Sequence, residues 1–110
     1  MQTKECSIEA TLRTVGDRWT LLILRNIFRG IKRFENIQKD LGIARNLLSK
    51  RLHHLVENEV IERFLYQEKP NRYEYKLTDK GRALSPSLIA LMQWGDQWCS
   101  SEEPLVKLVH

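Results

Sequence analysis

A mainly α-helical fold closed by one small β-hairpin is what this sequence predicts, and three observations predict it. Within residues 44–57, Leu48, Leu52, Leu55 and Val56 keep the i, i+4, i+7, i+8 spacing of one buried helical stripe. A second, shorter helical pattern precedes it, separated by Gly42. After it come two strand-like segments joined by Glu68-Lys-Pro-Asn-Arg72, which is turn chemistry. Helix, tight turn, helix and hairpin in that order make a winged helix-turn-helix.

The first helix is expected over residues 7–15, with Ser7 as its N-cap and Ile8, Leu12 and Val15 on one face. Gly16-Asp17 ends it, and Asp17 caps a second helix over 18–29. That helix carries Trp19, Leu21, Leu22, Ile23, Leu24, Ile27 and Phe28, apolar almost all round, so it is the expected central helix. Gly30 suits its C-terminal end. A third helix over 34–41 presents Phe34, Ile37 and Leu41, and Gly42 turns the chain into the helix over 44–57.

The hairpin strands are expected over 60–67 and 73–77, where Tyr73, Tyr75 and Leu77 alternate with Glu74 and Lys76. Thr78 is a good N-cap for a last long helix, which Pro86 should kink or break near Ser85. Beyond Pro86, Leu88, Leu91, Met92, Gly95, Trp98 and Cys99 share one face. Four earlier helices already supply a core, so the stripe reads as a homodimer surface on which Gly95 permits close helix approach. The plainer reading is that it folds back on its own domain.

Residues 1–110 are expected to form a single domain, a core over 7–84 followed by a dimerisation helix and tail over 85–110. The net charge is +4, unevenly placed: residues 1–84 hold 17 Lys+Arg against 11 Asp+Glu, and residues 85–110 hold 1 against 3. The basic part is therefore the helix-turn-helix part, which favours a polyanionic partner. No apolar run reaches membrane-spanning length and Met1–Ala10 lacks a signal-peptide pattern, so a cytoplasmic protein without membrane contact is expected. Two cysteines, Cys6 and Cys99, are too few and too far apart for a disulfide scaffold or a zinc site. No Ser/His/Asp set, phosphate loop or zinc pattern is present, so an enzyme is not expected and no cofactor or metal is implied.

Opposite the Leu48 stripe lie Asn46, Ser49, Lys50 and His53, all hydrogen-bond donors. A helix in a DNA major groove needs this chemistry, because base edges there offer mainly acceptors and the flanking phosphates are negative. An ordinary solvated helix face would look the same without the adjoining hairpin. Lys69 and Arg72 at the hairpin tip suit a phosphate or minor-groove contact, or are simply turn charges. Arg51 lies at the edge of the stripe and is as consistent with an ion pair inside the fold as with DNA. Adjacent His53 and His54 point roughly 100° apart with no further ligand nearby, so they do not form a metal site. Cys6 precedes the first helix, where free N–H groups and the macrodipole favour a thiolate. Lys4 helps and Glu5 and Glu9 oppose, and a small buried hydrophobe is the plainer reading.

The ordered set of segments resembles the HxlR-type winged helix-turn-helix transcriptional regulators, neighbours of the MarR-type repressors. Those segments are Cys6-Ser-Ile-Glu, Gly16-Asp-Arg-Trp-Thr-Leu-Leu-Ile-Leu-Arg25, Arg33-Phe-Glu-Asn-Ile37 and Leu47-Leu-Ser-Lys-Arg-Leu52. Val60-Ile-Glu-Arg63, Tyr75-Lys-Leu-Thr-Asp-Lys-Gly81 and Trp94-Gly95 complete it. The resemblance implies a homodimer, built from the first and last helices, that binds an imperfect palindrome in double-stranded promoter DNA, more often as a repressor. It further implies a cysteine near the N-terminus that senses oxidants or electrophiles, here Cys6. Cys99 would lie close to the partner's first helix, so a link from Cys6 to Cys99 across protomers, within one chain, or not at all stays open. A small aromatic effector bound near the dimer interface is the competing trigger, and a protein-interaction adaptor is a third class. One departure is Ala44-Arg45 where the family often has Ser at the entry to the groove helix. Ala cannot cap, which forgoes about 1 kcal/mol, and Arg45 at that corner is placed to serve a phosphate instead.

Overall fold

A computed structural model describes residues 5–99; Lys4, named above beside Cys6, and the tail over 100–110 lie outside the described residues. The elements run α1 (Ser7–Val15), α2 (Arg18–Phe28), α3 (Phe34–Leu41), α4 (Arg45–Glu57), β1 (Ile61–Gln67), β2 (Arg72–Leu77), α5 (Asp79–Arg82) and α6 (Ser85–Trp98). This is the winged helix-turn-helix that the residue pattern predicts.

The core lies where α2, α3 and α4 meet the base of the hairpin. Ile23 and Leu24 of α2, Ile37 of α3, and Leu48, Leu52 and Leu55 of α4 are all fully enclosed, with Val60, Ile61 and Tyr75 closing the hairpin side. Only one side of α2 is enclosed: Leu21, Leu22 and Phe28 are half-buried, so the expected burial all round does not hold. Gly42 takes φ 67, a left-handed conformation that lets α3 stop and α4 start at once.

The caps differ from expectation at one end of the chain. Cys6, not Ser7, is the N-cap of α1: its Sγ accepts the Glu9 N–H at 3.3 Å, and the Glu9 carboxylate accepts the Cys6 N–H at 3.4 Å. This is a reciprocal capping box with sulfur in place of the usual oxygen. Asp17 caps α2 as expected, taking the Thr20 N–H at 3.0 Å. Ala44 leaves α4 without a side-chain cap.

β1 and β2 pair antiparallel, with Arg63 opposite Tyr75 and a register shift between Leu65 and Gln67. Arg33 adds one bridge on the far side of β2, opposite Glu74. Arg72 is the first residue of β2 and not part of a free tip. Thr78 caps the short α5, not the long helix: its Oγ1 accepts the Gly81 N–H at 3.0 Å and donates to the Glu59 and Val60 carbonyls. The helical run is interrupted by a turn at Ala83-Leu84, and α6 starts with Pro86 in its first turn, where a missing N–H is tolerated.

The α6 stripe is divided. Leu88 packs on the core, and Met92 and Gly95 are half-buried, whereas Leu91, Trp98 and Cys99 are exposed. Trp94, outside the expected stripe, is 60% exposed and joins Leu91 and Trp98 at i, i+3, i+7. On α1, Ile8 and Leu12 are likewise uncovered. The plainer reading therefore holds for half the stripe, and the other half stays open to a partner.

Candidate nucleic-acid interface

Because Leu48, Leu52 and Leu55 sink one face of α4 into the core, Asn46, Ser49, Lys50 and His53 are carried outward together, and all four are exposed. At the start of α4, the Arg45 guanidinium lies 4.7 Å over the Phe34 ring, which holds that cation at the corner between α3 and α4. His53 Nε2 stands 3.4 Å from a Glu57 carboxylate oxygen one turn along, so the two exposed groups share charge when the imidazole is protonated.

Two other α4 side chains face the fold. Arg51 Nε lies 3.4 Å from Asp17 Oδ1, which pins α4 to the start of α2. Asp17 is therefore used twice. Its partial burial works against ionisation, but the Thr20 hydroxyl, the Thr20 amide and Arg51 outweigh burial and hold the carboxyl below 3.8. His54 turns inward: its Nε2 meets the Thr14 carbonyl at 2.9 Å.

Between α4 and the hairpin runs a groove of about 500 Å³, lined by Ser49, His53 and Val56 from the helix and by Arg63 and Tyr75 from the strands. Burial pushes the Tyr75 phenol above its ordinary value, with Arg63 beside it pulling the other way. Two of the four hairpin cations, Arg72 and Lys76, are committed to carboxylates, as is Arg33 beside them. Arg72 is 3.6 Å from Glu35, which also accepts the Tyr66 hydroxyl at 3.0 Å. Arg33 is 3.6 Å and Lys76 3.9 Å from Glu74. Lys69 is exposed at the tip and takes φ 53.

The structure thus brings Ser49 and His53 together with the wing, leaves Asn46 and Lys50 free on the outer face, and ties Arg72 back to α3. The place of Arg72 at the tip is corrected by this: it opens β2, and its guanidinium pairs with Glu35, 37 residues earlier and beyond the reach of local pattern. Arg63 was not singled out from the sequence. Strand alternation alone does not say which face of β1 meets α4, and only its place two residues after the apolar Ile61, on the same face, hinted at the side. Cys6 and Cys99 are both exposed free thiols. Among the described residues no three His, Cys, Asp or Glu side chains gather as a metal site, and no helix is long and apolar enough to cross a membrane.

A sequence profile of the HxlR-like helix-turn-helix family matches residues 14–103. An uncharacterized HTH-type transcriptional regulator of Mycobacterium tuberculosis is 47% identical over 105 residues, which are 94% of this chain and 66% of the relative. The chain thus spans just under two thirds of that relative's length. The HTH-type transcriptional regulator YodB of Bacillus subtilis is 36% identical over 93 residues, 84% of this chain and 83% of YodB. Reduced YodB superposes with a TM-score of 0.71, over 88% of this chain and 97% of that one. The redox regulator HypR in its reduced form gives a TM-score of 0.77 at 28% identity, over 84% of this chain and 92% of HypR.

Proposed function

The chain belongs to the HxlR-like helix-turn-helix family of transcriptional regulators, and from that premise we propose that it is a homodimeric, sequence-specific repressor that reads promoter DNA with α4. The observation that carries this reading is the outward face of α4, whose opposite face is fully enclosed and whose flank borders a basic hairpin. In a major groove, Asn46 and Ser49 hydrogen-bond base edges while Lys50, Arg45 and His53 meet bases or the flanking phosphates. Lys69 extends the contact at the wing tip. Arg72 adds to it with the charge that Glu35 leaves over.

The dimer uses α1 and α6. Ile8, Leu12, Leu91, Trp94 and Trp98 are large apolar side chains left in water by one copy, which is costly unless a second copy covers them. A two-fold pair then sets its groove helices about one DNA turn, ~34 Å, or a multiple of it apart.

The trigger is oxidation at Cys6. Its thiol is exposed at the head of α1, and the named relatives include a redox regulator solved reduced and oxidised and a YodB solved after diamide treatment. Hydrogen peroxide takes two electrons from two thiols: the O–O bond breaks, a disulfide forms and two waters leave with the thiol protons. A link from Cys6 to Cys99 requires Cα atoms within about 7 Å and moves α1 against its partner, so the half-sites lose register. The test is a gel-shift assay with a peroxide, on DNA the protein itself selects. Wild type should bind when reduced and release when oxidised, while Cys6→Ser stays bound. Equal responses of the two proteins, or none in either, would remove the thiol trigger.

A second reading of the trigger is favoured by a hollow of about 250 Å³ lined by Ala10, Thr11, Thr14, Val15, Val60, Lys80 and Leu84. Its mostly apolar wall with one cation suits a small aromatic effector. Release of DNA by such a compound in Cys6→Ser would favour it.

A further inference from the structure

We propose that Arg63 is a DNA-contacting residue that seats one backbone phosphate in the groove between α4 and the hairpin, with the Ser49 hydroxyl as a second donor. The inference rests on the reading of α4 as the groove helix and adds a contact that reading lacks. Arg63 stands on β1 opposite Tyr75, and its guanidinium lies 4.2 Å over the Tyr73 ring. Stacking on a ring face fixes the guanidinium plane; one of its five N–H groups serves the Tyr75 hydroxyl, and the others remain to donate to a phosphate.

Charge accounting leaves two hairpin cations without a carboxylate partner among the described residues, Lys69 at the tip and Arg63 in the groove. Arg33, Arg72 and Lys76 each lie within 4.0 Å of Glu74 or Glu35, whereas no such pair involves Arg63 among the described residues. Arg63 also lines the groove with Ser49 and His53. When α4 lies in a major groove and the wing tip reaches toward the next minor groove, the DNA strand between those grooves passes between helix and hairpin. A phosphate of that strand meets Arg63. A phosphate contact carries no base information, so its loss should weaken binding to every sequence alike.

The experiment is a titration of wild type, Arg63→Gln and Arg63→Lys against the selected duplex over a range of chloride, with a duplex series carrying one neutral methylphosphonate at each position. Arg63→Gln should bind about tenfold more weakly and lose about one unit of slope in log K against log salt. Arg63→Lys, which keeps the charge, should keep the slope. One methylphosphonate in each half-site should weaken wild type and leave Arg63→Gln unaffected. Unchanged affinity and slope in Arg63→Gln would overturn the inference while wild-type binding leaves the α4 reading standing. So would a methylphosphonate series that affects both proteins alike. Inorganic phosphate competing more strongly than chloride of equal ionic strength, with wild type only, would assign the seat to a free anion and overturn the DNA contact. Wild type that binds no DNA in a salt-dependent way would remove both readings.

Discussion

His54 of α4 donates from Nε2 to the carbonyl oxygen of Thr14 at the end of α1, across 2.9 Å. A carbonyl only accepts, so Nε2 carries the proton, and Nδ1 is left to face the Asn58 amide nitrogen at 3.5 Å. Asn58 in turn donates to the His54 carbonyl at 2.9 Å. The helix proposed to read DNA is thereby tied to the helix that Cys6 caps. His54→Ala should lower the urea midpoint by an amount equivalent to about 1–2 kcal/mol, since it leaves a half-buried carbonyl without its donor. An unchanged midpoint would show that the bond contributes nothing to holding α1.

Gly81 and Gly95 should respond oppositely to the same substitution. A Cβ on Gly81 would lie 2.2 Å from the Val60 carbonyl oxygen, which already accepts from the Thr78 amide and hydroxyl. Gly81→Ala must therefore push backbone apart at the base of the wing, at a cost of about 1–3 kcal/mol. Gly95 has nothing within 4 Å of the same position. Gly95→Ala should raise the stability of one copy by up to about 1 kcal/mol through helix propensity, and weaken self-association. Thermal melts and sedimentation equilibrium read the two effects, and a dimer unaffected by Gly95→Ala would place the close helix approach elsewhere.

Much of this arrangement was legible in the residues, and the exceptions share a cause. Leu48, Leu52 and Leu55 repeat at helical spacing, so the buried face of α4, and hence its outward face, follows from the sequence. Asp17 and Gly42 act locally, as cap and turn, and local signals survive folding. Cys6 was missed as a cap because a thiol is a weak acceptor and Ser7 beside it is a common one. Arg72 with Glu35, and Arg63 with Ser49, join distant segments whose meeting depends on which hairpin face packs on α4. On α6 the periodicity was right, but periodicity cannot divide Leu88, which turns to its own core, from Trp98, which does not.

Asp17 should make part of the stability sensitive to acid. Its folded carboxyl titrates below 3.8, so in that range the unfolded chain binds a proton that the folded one refuses. The stabilisation is complete above the unfolded value and fades as pH falls through the folded one. Asp17→Asn keeps a capping oxygen but loses the charge that meets Arg51. Wild type should exceed Asp17→Asn in urea midpoint near pH 6, and the gap should narrow as pH falls below 3.8 through the folded carboxyl's titration. A gap that is constant with pH would mean that Asp17 acts only as a neutral cap.

The outward face of α4 is the centre of the account, and Asn46 and Lys50 test it most directly. Both are exposed and neither supports the core, so Asn46→Ala and Lys50→Ala should melt like wild type. The decisive measurement is the affinity of these two variants, by fluorescence anisotropy, for a duplex that wild type selects from a random pool. Each should lose about 1–3 kcal/mol of binding, roughly 5- to 150-fold, with the fold intact. Wild-type affinity in both would contradict this, because α4 would then not be the helix that reads DNA.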